Sequence, residues 1–247
     1  MSFLRSIVNA HISTDNSSQI FEFLNHWIYL NEGFKKNHDF FIFKSLGPTP
    51  IQVLNQGGDC TDKSILLMTM LDSVGIDSTL VMLFGVDGEF PSHTVVEVRD
   101  GKFRAVADPV YDLVFPNTNG GFHNVEDLRK NPAILINRLN HLIEIRGIKD
   151  KIIFYQRTNE SYQFASPINW NKNDLFKLTS NLLRRMGIEP TDIRRPHFLD
   201  DPKLFITVTL FGISMFLILL YFVLRVKSTA IVISFAKPRA KSSHSTT

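Results

Sequence analysis

One segment near the C-terminal end limits what this chain can fold into. Residues 204–224 read LFITVTLFGISMFLILLYFVL, 21 positions without a charged side chain. As an α-helix this segment is about 32 Å long, enough to cross a bilayer hydrocarbon core of about 30 Å. A helix of that length in a soluble core would carry a polar face, and this segment has none. The sequence therefore predicts a transmembrane helix at 204–224, with a buried core helix as the alternative.

The charged residues are divided unevenly along the chain. The total is 27 Lys and Arg against 24 Asp and Glu, a net charge of +3. Residues 204–247 contain five of the basic side chains and no acidic one, so residues 1–203 carry 22 basic and 24 acidic side chains. The part before the apolar segment therefore lacks the basic surface typical of nucleic-acid-binding proteins. Basic residues flank the apolar segment on both sides, so the sequence leaves the orientation in the membrane open.

The chain has a single cysteine, Cys60, which excludes an intrachain disulfide and a thiolate-rich metal site. It follows a Gly-Gly turn and Asp59, a good N-cap, and it opens a predicted helix that stops at Gly75. The first turn of a helix stabilises a thiolate, and its unpaired amides can receive an oxyanion. Cys60 is therefore a candidate nucleophile, although a lone cysteine in this position is more often a small buried side chain.

Three strand-like segments follow this helix, at residues 77–86, 93–99 and 102–108. Asp87-Gly88 and Asp100-Gly101 predict the turns between them. His93 begins the second segment, and Asp108 ends the third. A helix packed on an antiparallel sheet is an α+β arrangement. It would bring a thiol, an imidazole and a carboxylate to neighbouring element ends, in the order of a Cys-His-Asp nucleophilic site.

Three blocks of sequence, read in order, resemble the core of the transglutaminase-like superfamily. They are GGDCTDKSILLMTMLDSVGI, SHTVVEV and GKFRAVADP. In that family the Cys begins a helix, the His starts a strand, and the Asp ends the next strand before Pro. The resemblance covers residues 15–125 and implies a papain-like core with Cys60 as nucleophile, His93 as general base and acid, and Asp108 as the group orienting His93. Val106 stands where the family usually has an aromatic residue such as Trp.

The resemblance also implies a class of reaction. It implies a cysteine-dependent hydrolase or acyltransferase that acts on peptide or protein amide bonds through a thioester, with no cofactor and no metal. The alternative is a catalytically inactive transglutaminase-like binding module tethered to the membrane, since the family includes such domains. A structural membrane protein with a coincidental triad is a third interpretation.

Three further polar residues near Cys60 have a functional and a structural interpretation. Gln52 or Gln56 would supply an additional oxyanion donor, but both also fit solvated positions of a short predicted helix, IQVLNQ. Asp62 would bind a cation or substrate, but it also fits a first-turn carboxylate that favours the helix dipole.

The remaining segments complete the predicted organisation. Helices are expected at 19–34, from Asn124 with a restart at Pro132, and at 172–186, while KIIFY at 151–155 could add a strand. His26 is interpreted as a structural or surface histidine. The expected partners are a peptide or protein substrate and the membrane. The predicted divisions are an N-terminal segment 1–18, a catalytic domain 19–155, a helical extension and linker 156–203, the membrane helix 204–224 and a basic tail 225–247.

Overall fold

The computed structural model divides the chain into two units, Met1–Pro202 and Lys203–Thr247. It describes residues 2–31, 33–36, 38–40, 42–85, 91–147, 150–155 and 161–236. The helices within these residues are α1 (Ser2–His11), α2 (Ser17–Asn31), α3 (Pro50–Gln56), α4 (Cys60–Ser73), α5 (Val125–Lys130), α6 (Ala133–Arg146), α7 (Ile152–Tyr155), α8 (Asp174–Arg185) and α9 (Pro202–Ala236). The strands are β1 (Ser78–Phe84), β2 (Pro91–Asp100), β3 (Phe103–Asp108), β4 (Leu113–Val114) and β5 (Ser161–Ser166).

The strands form one antiparallel sheet in the order β4-β3-β2-β1-β5. The β2–β3 hairpin turns where Asp100-Gly101 predicted it, and Gly101 has a φ of +57°, which glycine adopts without steric cost. The Asp87-Gly88 turn lies outside the described residues. In the resulting register His93 faces Leu83 of β1, and Asp108 faces Leu113 of β4.

Helix α4 packs against one face of this sheet. Its side chains Leu66, Leu67, Met70 and Leu71 are fully buried. They share a core with Val96 and Val98 of β2 and with buried residues of α1, α2 and α3, namely Leu4, Val8, Phe21, Leu24, Ile28 and Val53. The predicted α+β arrangement, with the cysteine-bearing helix on an antiparallel sheet, is confirmed.

The opposite face of the sheet is also covered. Val81, Leu83, Val95 and Val106 pack with buried residues of α5, α6 and α7, namely Val125, Leu128, Leu139, Leu142, Ile152 and Tyr155. Successive residues of a strand point to opposite faces. The runs STLVMLF and VVEV are therefore mostly apolar, because both faces of the sheet are buried, and Glu97 is the one charged side chain in them.

Two elements differ from the sequence-based prediction. The segment KIIFY is not a strand, because Ile152–Tyr155 forms the helix α7. The Asp150 carboxylate accepts from the Ile152 amide at 2.8 Å, and the two buried side chains, Ile152 and Tyr155, are three residues apart, which is a helical spacing. The fifth strand is β5 instead, in a polar and aromatic segment for which no strand was predicted.

The unit Lys203–Thr247 contains the apolar helix. Within residues 202–225 of α9, an 18-residue stretch has a mean hydropathy of 2.4, and none of that stretch is buried. The helix continues beyond the apolar segment to Ala236. By length and composition it is a candidate membrane span.

Candidate active site

The Gly-Gly turn before Cys60 allows two stretches of backbone to approach closely. Gly57 has a φ of +76°, and a Cβ there would lie 2.3 Å from the carbonyl oxygen of Gly33. The Gly58 amide donates to that carbonyl at 3.1 Å, and the Gly58 carbonyl accepts from Lys35 at 3.1 Å. A side chain at Gly57 would push these two stretches of backbone apart, and a Cβ at Gly58 would lie 2.4 Å from the Cβ of Asp62. The turn therefore fixes where α4 begins.

Asp59 caps α4 and occupies most of its first-turn amides. Its Oδ1 accepts from the amides of Thr61 at 3.0 Å and Asp62 at 3.1 Å, and its carbonyl accepts from Lys63 at 3.0 Å. In return, Oδ2 of Asp62 accepts from the Asp59 amide at 3.2 Å. The predicted N-cap is confirmed, as a complete capping box.

This cap changes what the helix start offers to an oxyanion. The amides of Thr61 and Asp62 are already bonded, so they are not available as predicted. The amide of Cys60, at the first helical position, has no hydrogen-bond partner among the residues that the structure describes. The main-chain N–H of Cys60 is therefore a hydrogen-bond donor next to the thiol. Cys60 itself is half-buried.

His93 and Asp108 form a buried pair. Nε2 of His93 lies 2.6 Å from Oδ2 of Asp108, and their side chains are 5% and 0% exposed. The second carboxylate oxygen, Oδ1, accepts from the Val110 amide at 2.9 Å. Both oxygens of the Asp108 carboxyl group therefore have a partner, and Nε2 is the ring nitrogen of His93 that faces it.

Two tyrosines fix the plane of this imidazole. The ring centroids of Tyr111 and Tyr155 lie 5.7 Å and 6.0 Å from that of His93, and they lie 5.0 Å from each other. Tyr155 meets the imidazole edge to face, at 89°, and Tyr111 meets it at a tilt of 57°. Aromatic packing of this kind is favourable. Neither tyrosine had been identified from the sequence. Tyr155 lies 62 positions after His93, so no local pattern links the two residues.

The start of α4 is bonded to the start of β2. The hydroxyl groups of Thr61 and Thr94 lie 3.1 Å apart, and the Ser64 hydroxyl donates to the Thr94 carbonyl at 2.9 Å. Thr61 follows Cys60, and Thr94 follows His93. Hydrogen bonds thus join the start of α4 to the start of β2 at the residues that follow Cys60 and His93. No sequence motif had identified these hydroxyl groups.

The two glutamines near Cys60 have structural partners. Oε1 of Gln52 accepts from the amide of Thr49 at 2.8 Å and from its hydroxyl at 3.0 Å, which caps α3. The side-chain amide of Gln56 donates to Asp39. Gln56 is therefore already engaged, whereas the NH₂ group of Gln52 has no partner among the described residues.

Residues after Asp108 form a second polar cluster, around Asp112. Its carboxylate accepts from Asn25 at 3.2 Å and from Arg146 at 2.8 Å, and it pairs with His26 at 2.9 Å. Asp112 has a φ of +50°, and Arg146 also donates to the carbonyls of Tyr111 and Asp112. The predicted structural role of His26 thus corresponds to its contact with Asp112 in this cluster.

A separate cavity of about 780 Å³ opens on the other end of β2. Charged side chains line it, including Glu97, Arg99, Arg104 and Arg129. None of the three candidate residues lines this cavity. Its polar lining contrasts with the aromatic surroundings of His93.

Asp62 is the titratable group next to Cys60 with the largest change. Burial, and secondarily the nearby charge of Asp59, raise its pKa from 3.8 to about 6 despite the hydrogen bond from the Asp59 amide. In the unfolded chain the carboxyl ionises near 3.8. Between pH 4 and 6 the unfolded state has therefore released a proton that the folded state still holds, and stability falls as the pH rises. Above about pH 6 the loss is complete.

We expect Asp62→Asn to remove this dependence. The amide can still accept from Asp59 through its oxygen, and it carries no charge to bury. The difference between the pKa values of 3.8 and about 6 corresponds to about 3 kcal/mol of unfolding free energy that the ionised carboxylate costs. The carboxylate also interacts favourably with the helix dipole, and the loss of that interaction offsets up to about 1 kcal/mol of the gain. Thermal unfolding at pH 4 and pH 8 should show a gain in unfolding free energy of about 2–3 kcal/mol at pH 8 only.

The matched control for this prediction is Asp15→Asn, which changes an exposed carboxylate and should leave the pH profile unaltered. An Asp62→Asn protein that loses stability at pH 8 would contradict the assignment, because the carboxylate would then be a net stabilising cap.

Comparison with known proteins gives two structural similarities. No model of a known protein family matches the chain, and no curated protein matches it either. A candidate cysteine protease from Cytophaga hutchinsonii is 16% identical with a TM-score of 0.36, over 51% of this chain and 44% of that protein. Legionella pneumophila LapG is 16% identical with a TM-score of 0.31, over 45% of this chain and 61% of that protein. The chain thus spans less than two thirds of either, and similarity at this level assigns neither family nor activity.

Proposed function

We propose that this protein is a membrane-anchored cysteine-dependent hydrolase of the transglutaminase-like type, acting on peptide or protein amide bonds. The main support is the buried His93–Asp108 pair at 2.6 Å, next to a strand start that is bonded to the first turn of the Cys60 helix. A buried imidazole held by a carboxylate is the arrangement that activates a nucleophile. The order of the three residues along the sequence supports the same assignment.

In this proposal His93 works through its two nitrogens separately. Nε2 donates to Asp108, so Nδ1 is the nitrogen that takes the proton of the Cys60 thiol. The thiolate forms a bond to the substrate carbonyl carbon, and the carbonyl electrons move to oxygen. As the C–N bond breaks, His93 returns the proton to the leaving amine, and a thioester remains.

Water completes the cycle. His93 removes a proton from water, the hydroxide adds to the thioester, and the C–S bond breaks to release a carboxylic acid and the thiol. An amine in place of water would give acyl transfer by the same steps. The Cys60 amide is the main-chain donor for the oxyanion, and the NH₂ group of Gln52 is the candidate for a second donor.

Thiol labelling of the full chain tests this proposal. A free cysteine is only a few per cent thiolate at neutral pH, so a Cys60 paired with His93 should react with iodoacetamide at pH 6 about tenfold or more faster than a simple thiol. His93→Ala should remove that advantage. His26→Ala is the matched control, because His26 also pairs with an aspartate but is 55% exposed.

The labelling result also separates the enzyme from the inactive binding module. A Cys60 that reacts like a simple thiol in the folded wild-type chain, with no change in His93→Ala, would support the binding module. Peptide-library profiling of the reactive protein would then identify the amide substrate. The acyl product, a carboxylic acid or a new amide, would distinguish hydrolysis from transfer.

Membrane anchoring is the second part of the proposal. It is supported by the length and composition of residues 202–225, since a lipid-embedded helix satisfies its own backbone hydrogen bonds. The full chain should stay with membranes in alkaline carbonate and dissolve only in detergent. Release by carbonate would contradict the anchor without affecting the labelling test.

A further inference from the structure

Helix α8 presents its apolar residues to solvent. Leu175, Leu178, Leu182 and Met186 are between 57% and 69% exposed. Their spacing of three, four and four residues aligns them along one side of the helix. The stripe is about 16 Å long, at about 1.5 Å per residue. We refer to these four residues as the α8 stripe.

The inward side of the same helix is less apolar than the stripe. Ser180 is buried there, and Phe176 packs its ring 6.1 Å from that of Trp170. A surface helix ordinarily turns its apolar side to the core and its polar side to water. In α8 a serine is buried while four large apolar side chains are exposed. The fold of the unit therefore does not account for the stripe.

Most of the charged residues in and next to α8 are basic. Residues 171–188 contain four basic side chains, Lys172, Lys177, Arg184 and Arg185, and one acidic side chain, Asp174. Residues 1–203 as a whole carry more acidic than basic groups, so this basic surplus is local. Leu, Met and basic side chains on one helix are the composition of helices that lie in the interface of an anionic bilayer.

Chain connectivity supports the same partner. Pro202, the first residue of the candidate span, comes 16 residues after Met186. Even a fully extended connection of this length reaches only about 55 Å. If the span is in a bilayer, as proposed above, the stripe cannot be farther from that bilayer than this.

We propose that α8 lies on the surface of the bilayer that α9 spans. The α8 stripe inserts at the boundary between headgroups and acyl chains, and Lys172 and Arg185, which lie next to its two ends, contact anionic headgroups. The protein would then have two membrane contacts, one spanning and one interfacial. This inference rests on the proposed anchor.

Site-specific fluorescence in the full chain tests the inference. Because Cys60 is the single cysteine, Cys60→Ser gives a thiol-free background into which Leu182→Cys or Lys177→Cys is introduced. Lys177 lies on the opposite side of α8, so it is the matched control. Each variant carries a small environment-sensitive fluorophore and is reconstituted in vesicles of phosphatidylcholine and phosphatidylglycerol.

Nitroxide lipids and aqueous iodide then report the two environments. The label at 182 should be quenched by a nitroxide near the headgroups at least about threefold more than the label at 177, with the reverse order for iodide. The difference in nitroxide quenching between the two labels should shrink in vesicles of phosphatidylcholine alone, because Lys172 and Arg185 then have no anionic headgroups to contact. A third variant, Leu217→Cys, lies in the candidate span and should be quenched by a nitroxide deep in the acyl chains.

Each outcome has a defined meaning. Quenching at 217 with equal quenching at 182 and 177 overturns the α8 proposal and leaves the anchor intact. A label at 182 that is shielded from both iodide and nitroxide lipid also overturns it, because a protein surface would then cover the stripe. No quenching at 217 overturns the anchor, and the α8 inference with it.

Discussion

Asp108→Asn is expected to lower turnover by about 100- to 10,000-fold, while the protein stays folded. The reason lies in the two bonds of the carboxylate. Oδ1 accepts from the Val110 amide, and Oδ2 accepts from His93. Asparagine has one accepting oxygen and one donating NH₂ group, so it can satisfy only one of these donors.

Both orientations of the asparagine harm the site. If its oxygen stays on Val110, the NH₂ group faces Nε2, and the imidazole proton must move to Nδ1, which can then no longer take the thiol proton. If the oxygen turns to His93, the NH₂ group faces the Val110 amide, and two donors oppose each other in a buried place. An amide at position 108 therefore cannot replace the carboxylate without losing one of its two bonds.

Two measurements check this prediction. Turnover is followed on a substrate taken from library profiling, and the iodoacetamide rate is followed from pH 5 to 9. The rate profile should move towards that of a simple thiol, while His26→Ala leaves it in place. Full turnover in Asp108→Asn would remove Asp108 from the proposed triad.

Asp112→Gly is expected to cost about 2–4 kcal/mol of unfolding free energy. The carboxylate accepts from Asn25 and Arg146 and pairs with His26, so its removal leaves a partly buried guanidinium without its counter-charge. Glycine keeps the backbone at a φ of +50°, so this change removes only the carboxylate. Asp112→Ala should cost about 1 kcal/mol more, because alanine is strained at that φ.

Thermal or denaturant unfolding of the full chain in detergent measures these differences. His26→Ala is the control within the cluster, and because His26 is 55% exposed it should cost under about 1 kcal/mol. An Asp112→Gly protein as stable as the wild type would mean that Arg146 is satisfied by its bonds to the two carbonyl groups alone.

Local signals predicted much of this fold and of the candidate site. Asp59 and the Gly-Gly turn predicted the start of α4, because caps and turns depend on neighbouring residues. The predicted short helix IQVLNQ corresponds to α3. The types and the order of Cys60, His93 and Asp108 followed from the same blocks. An N-cap carboxylate at Asp59 bonds the same first-turn amides that were predicted to receive an oxyanion. The sequence-based prediction did not take this into account.

Long-range contacts account for what was missed. Asn25 and His26 meet Asp112 across more than 80 residues, and no local pattern encodes that contact. The strand β5 is short and polar, and it pairs at the edge of the sheet, so it lacks the apolar alternation that identifies a strand. The helical layer formed by α5–α7 did leave a signal, since near-continuous apolar strands indicate burial on both faces.

The sheet order has a consequence for biosynthesis. β1 pairs with β2, which follows it closely, but its other edge pairs with β5, whose first residue comes 77 positions after Phe84. At a ribosomal rate of about 5–20 residues per second, this edge waits about 4–15 s for its partner. During that time the nascent chain exposes an unpaired edge made of STLVMLF, an apolar segment of the kind that joins edge strands of other chains. Aggregation of this protein during expression should therefore depend on how fast residues 85–166 are synthesised.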